Sequence, residues 1–85
     1  MYEIFIKNYI DNLTVDNVIN LAKEKNINLS LNDATILLDL AKREWKSFYK
    51  GDPSDHIKCL EEKIDKENFN KLKQIYIEAK QKWQN

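Results

Sequence analysis

Histidine and cysteine are the side chains best suited to nucleophilic or metal chemistry near neutral pH, and this chain has one of each, His56 and Cys59. Three residues apart on a helix, they are neighbours on one face. A thiolate beside an imidazole is a nucleophile arrangement, and the same spacing supplies half of a zinc site. The other half is missing, because the chain holds no second histidine or cysteine. Zinc would have to draw on carboxylates such as Asp52, Asp55 or Glu62, a poor structural set. The expectation is a surface histidine near a helix start and a small, partly buried cysteine, with no metal site. Glu61 and Glu62 are adjacent in sequence, so they point to different parts of a helix surface and read as a solvated face. Gly51 is the only glycine, which leaves no phosphate-binding loop, nucleophile elbow or metal-binding loop. The sequence therefore names no catalytic residue, no cofactor and no small-molecule substrate, and the chain reads as a non-enzyme.

Behind these residues stand helices. Glycine and proline occur once each in 85 residues, as Gly51 and Pro53, too few for the turns of an all-β chain. Apolar residues at Tyr2, Phe5, Ile6, Tyr9 and Ile10 recur at offsets of three and four, one face of a short helix. Leu13 and Thr14 interrupt it. Thr14 is placed to cap a helix over 15–25, with Asp16 in its first turn and Val15, Val18, Ile19 and Ala22 on one face. Asn26 fits the left-handed closing position. Ile27, Leu29 and Leu31 alternate through a connector that has no second strand to pair with, so a linker burying two or three apolar side chains is expected. Ser30, with Asp33 three residues on, predicts a capped helix over 31–49. Its stripe of Ala34, Leu37, Leu38, Ala41, Trp45 and Phe48 is widened by Ile36 and Leu40.

Lys50 to Pro53 is the clearest break. Gly51 is expected to close a helix in the left-handed conformation, Asp52 to cap the next, and Pro53 to sit in its first turn. The fourth helix carries Ile57, Leu60 and Ile64. Asp65 is placed to cap the fifth, where Phe69, Leu72, Tyr76, Ala79 and Trp83 step by three and four, a seam for one partner helix. The fold class is all-α, a compact bundle of four to five helices in a single domain, 1–85.

Charge and composition bound the partners. Hydrophobic content of 42% with 33% charged residues is ordinary for a globular chain. Fourteen basic residues balance fourteen acidic ones, without the excess that marks a dedicated nucleic-acid binder. One cysteine excludes an intramolecular disulfide. The start of the chain lacks a signal-peptide pattern and no stretch reaches the length of a membrane span, so a cytoplasmic location is expected and no membrane partner.

Two kinds of partner remain. Helix 15–25, its connector and helix 31–49 loosely follow a helix-turn-helix, but Asn32, Asp33 and Asp39 occupy the start of the would-be recognition helix, and acids there repel phosphates. Any nucleic-acid binding is expected to be weak and independent of sequence. The interaction reading draws on nine aromatic residues, a generous supply of side chains that are enriched at interface hot spots. Trp45, Tyr49, Tyr76 and Trp83 are the candidate contacts to another protein or to a second copy of the chain.

The pattern Phe5-x3-Tyr9-Ile10-x2-Leu13-Thr14, followed by Ala22, Ile27-x-Leu29-Ser30-x3-Ala34, resembles a family of short uncharacterised proteins from low-GC Gram-positive bacteria. The resemblance covers roughly the first half of the chain. It implies an all-helical fold in a bacterial cytosol and carries no known activity or site residues.

Overall fold

The computed structural model describes residues 2–84, the side chains of Trp83 and Gln84 excepted. Five helices account for most of it: α1 Tyr2–Asp11, α2 Val15–Glu24, α3 Leu31–Tyr49, α4 Ser54–Lys63 and α5 Lys66–Gln84. No strand occurs among the described residues. The all-α class follows as expected. Contacts divide the chain into two compact units, Met1–Trp45 and Lys46–Asn85, and each is taken in turn.

In the first unit, Thr14 caps α2 as its position suggested. Its hydroxyl oxygen accepts from the backbone N–H of Asn17 at 3.2 Å, and the Asn17 carboxamide oxygen accepts from the Thr14 N–H at 3.0 Å. This reciprocal pair is a capping box with asparagine in the place usually held by Glu or Gln. At the other end, Asn26 adopts a φ of 60°, the left-handed closing conformation that asparagine tolerates. The Ile27 N–H bonds the Ala22 carbonyl at 2.9 Å and the Asn26 N–H bonds the Lys23 carbonyl at 3.0 Å. Those two bonds form a Schellman closure, which brings the residue after the left-handed one back over the last helical turn. That residue is Ile27, which has no exposed surface.

Ile27 joins Ala22, Leu29, Ala34 and Leu40 as the buried apolar set of this unit. The connector thus buries two of its three alternating residues, while Leu31 opens α3 with 67% of its surface exposed. Ser30 caps α3, its hydroxyl accepting from the Asp33 N–H at 3.0 Å. Leu40, on the widened flank of the α3 stripe, is buried while Leu37 and Leu38 at its centre are half-buried. α1 contributes no buried residue. Its last turn is held by the Lys42 ammonium, which donates to the Asp11 carbonyl at 3.1 Å, a cation at the negative end of a helix.

Near the end of the first unit, α3 departs from helical geometry at Glu44, whose φ and ψ are −127° and 21°. The second unit opens on the last turn of α3 and packs α4 with α5. Pro53, Ile64 and Phe69 are buried there. The Tyr76 hydroxyl donates to the Phe48 carbonyl at 3.0 Å, and the two rings meet edge to face at 5.5 Å. Asp65 caps α5 by accepting from the Asn68 N–H at 3.1 Å.

The Gly51 break is built differently from the expectation. No glycine has a positive φ among the described residues, so Gly51 does not close the helix in the left-handed conformation. Its need is for space: a Cβ at this position would stand 3.1 Å from Ser47 Cα and 3.4 Å from the Ser47 carbonyl oxygen. The chain turns that tightly because the N–H groups of Lys50 and Gly51 both reach the Lys46 carbonyl, at 2.8 and 3.2 Å. Asp52 then starts α4 from one residue further out than a helix cap, since Pro53 holds the cap position without a side-chain bond. The Asp52 carboxylate accepts from the Ser54 hydroxyl at 2.6 Å and from the Ser54 N–H at 3.1 Å. Those two bonds hold its pKa below the usual value of 3.8, with a smaller push from Lys80.

Candidate interaction surface

The residues with the best claim to chemistry stay apart from any cluster. His56 is half-buried, its ring tilted against Phe48 with centroids 6.1 Å apart. Cys59 is exposed. Among the described residues no group of three His, Cys, Asp or Glu side chains is placed to hold a metal ion.

The four aromatic residues singled out from the sequence all fall at or beyond the end of the first unit. Trp45 and Tyr49 are half-buried. Tyr76 is half-buried as well, its hydroxyl bonded to the Phe48 carbonyl and its ring in an edge-to-face contact with the Phe48 ring. The Trp83 side chain lies outside the described residues. None of the first three offers a broad free face.

Among the described residues, exposed aromatic surface is concentrated on α1. Tyr2 is 76% exposed, Phe5 68% and Tyr9 58%. At 100° per residue, these positions form one line along the helix. Ile6 and Ile10, half-buried, form the next line and face the body of the unit. The apolar face expected of α1 is thus split, with Ile6 and Ile10 turned inward and the aromatics left on the flank, while Ile4, outside that face, is 64% exposed. Glu3, Lys7 and Asp11 run down the opposite flank, where Lys7 and Asp11 pair at 2.7 Å. The aromatic flank carries no charge.

Beside that flank, between α1 and α2, lies an open groove of about 470 Å³. Its walls include Tyr9 and Leu21 and the carboxamides of Asn8, Asn12, Asn17 and Asn20, and Glu24 alone among its lining residues is charged. Asn12 is fixed there by a bond from its side-chain nitrogen to the Asn8 carbonyl at 2.8 Å. Aromatic faces next to amide groups, with hardly any charge, suit contact with another protein more than with a phosphate-bearing polymer. The signal for this surface was present in the sequence as the spacing of Tyr2, Phe5 and Tyr9. What periodicity could not tell was which of the apolar lines would be covered.

The helix-turn-helix elements are present as α2, the connector and α3, but two of the cations on α3 are engaged within the chain. Lys42 reaches the Asp11 carbonyl and Arg43 pairs with Asp39 at 3.0 Å. The first unit holds five basic against seven acidic residues, and the second holds nine against seven. Among the described residues no helix is long and apolar enough to cross a membrane. No protein-family model matches the chain, and no curated protein or solved structure matches it either.

Proposed function

We propose that this chain works by binding another protein chain, without catalysis of its own, in a bacterial cytoplasm. The observation that supports it is the uncharged line of Tyr2, Phe5 and Tyr9 on α1, each more than half exposed. Three aromatic side chains at those exposures present about 300–500 Å². That equals the largest apolar patch of a typical monomer, a size that tends to mark a binding face. The helix lies alongside the α1/α2 groove, so a partner helix or loop can rest on the rings and place side chains among the amides. The bacterial setting follows the resemblance of the first half of the chain.

The test is affinity capture from native extract, comparing the wild-type chain with a Phe5→Ala/Tyr9→Ala variant of unchanged helicity. A protein, either a different one or an untagged copy, should be retained by the first and at least tenfold depleted on the second. Equal recovery on both, or none, removes the reading.

A further inference from the structure

We infer that the occupant of the α1 surface is the same surface of a second copy, the two related by a twofold axis passing close to Phe5. The inference rests on the protein-binding reading above and names its partner.

Charge is the first argument. An interface across a twofold axis brings each patch against itself, so any net charge in it meets a like charge. The line of Tyr2, Phe5 and Tyr9 carries none, and the α1 charges Glu3, Lys7 and Asp11 stand on the opposite flank, Lys7 already paired with Asp11 at 2.7 Å. The single charged residue of the adjoining groove, Glu24, lies on α2, away from the centre of the line. A surface of this kind can face its own copy with no electrostatic cost.

Area is the second. About 300–500 Å² of aromatic surface from each copy removes about 600–1,000 Å² when two meet. With the groove walls at Leu21 and the four asparagines added, the total approaches the lower end of specific interfaces, about 1,200 Å². That size fits a reversible dimer and falls short of an obligate one. A third argument comes from α1 itself. It is ten residues long and buries none of them, and helices this short are marginal in water unless something covers them. A membrane surface is the poorer fit, since an interfacial helix uses a basic polar face and the polar flank of α1 holds two acids and one lysine.

Phe5 sits midway along the line, so it meets its own copy whether the two helices run parallel or antiparallel. Sedimentation of the full chain is measured from roughly 5 to 500 μM, the range for a small interface, in reductant so that the exposed Cys59 cannot cross-link. The mass should climb toward twice that of the monomer, and Phe5→Glu, still helical by circular dichroism, should stay monomeric. In a Cys59→Ser background that keeps Phe5, Asn8→Cys, beside the aromatic line, should form a covalent dimer on oxidation at least tenfold faster than Lys7→Cys, which lies on the charged flank. A wild-type chain that is monomeric throughout overturns the inference. So does a dimer unaffected by Phe5→Glu, or equal rates for the two cysteine variants. Flotation with phosphatidylcholine–phosphatidylglycerol vesicles that depends on Phe5, in a monomeric chain, assigns the surface to lipid instead. If the chain is monomeric yet still captures a different protein through Phe5 and Tyr9, the second copy is ruled out and the binding reading stands.

Discussion

The connector after α2 and the helix α1 put their apolar residues to opposite use. The connector has no helical stripe, only a short alternation, yet it delivers Ile27 with no exposed surface and Leu29 with 8%. α1 has ten residues of amphipathic spacing and buries none of them. The cause is local geometry. A Schellman closure folds the chain back over the helix it has just ended, so the next apolar residue is delivered to the core. A helix at one side of a small unit is covered only along the line that touches its neighbours. Periodicity therefore reports that a helix forms, and backbone closure reports what gets buried.

Three substitutions would break or sharpen that contrast. Ile27→Ala should have the largest effect, about 2–5 kcal/mol, the range for emptying a filled core site. Urea unfolding measures it, and a loss below 1 kcal/mol would mean that the connector does not anchor the core. Thr14→Ala should cost about 1 kcal/mol by freeing the Asn17 N–H and undoing one side of the capping box. It separates the start of α2 from its closure, and thermal unfolding monitored at 222 nm resolves it. Phe5→Ala should change monomer stability by no more than about 0.5 kcal/mol, as expected for an exposed position. The measurement belongs at low micromolar concentration, because any self-association adds a concentration-dependent term. A large loss there would show that the ring packs inside its own unit.

Much of the fold was legible before any coordinates. Thr14, Ser30 and Asp65 cap as their types and positions suggested, and Asn26 takes the left-handed turn. These features depend on one or two residues and a few backbone bonds, which sequence encodes directly. Gly51 departs from the expected role because a lone glycine after a helix has two uses, a left-handed φ or close passage of backbone, and only the position of Ser47 decides between them. Leu40 stands on the flank of its stripe by spacing and is buried in the structure, because burial depends on which neighbours surround α3. The candidate surface shows the same limit. The candidate contacts Trp45, Tyr49, Tyr76 and Trp83 lie in the later helices, while the exposed aromatics among the described residues are Tyr2, Phe5 and Tyr9, whose spacing marks only one face of a short helix.

Glu44 gives α3 a property that its single unbroken span conceals. Up to that residue the helix is anchored by Ala34 and Leu40, and beyond it by the Phe48 carbonyl and ring that Tyr76 engages. The five residues from Trp45 to Tyr49 are far too few to hold helical shape by themselves. Their backbone hydrogen bonds depend on packing within the second unit, of which the Tyr76 and His56 contacts to Phe48 are part. Hydrogen–deuterium exchange should accordingly step in rate at Glu44, so that one helix by geometry counts as two by local opening.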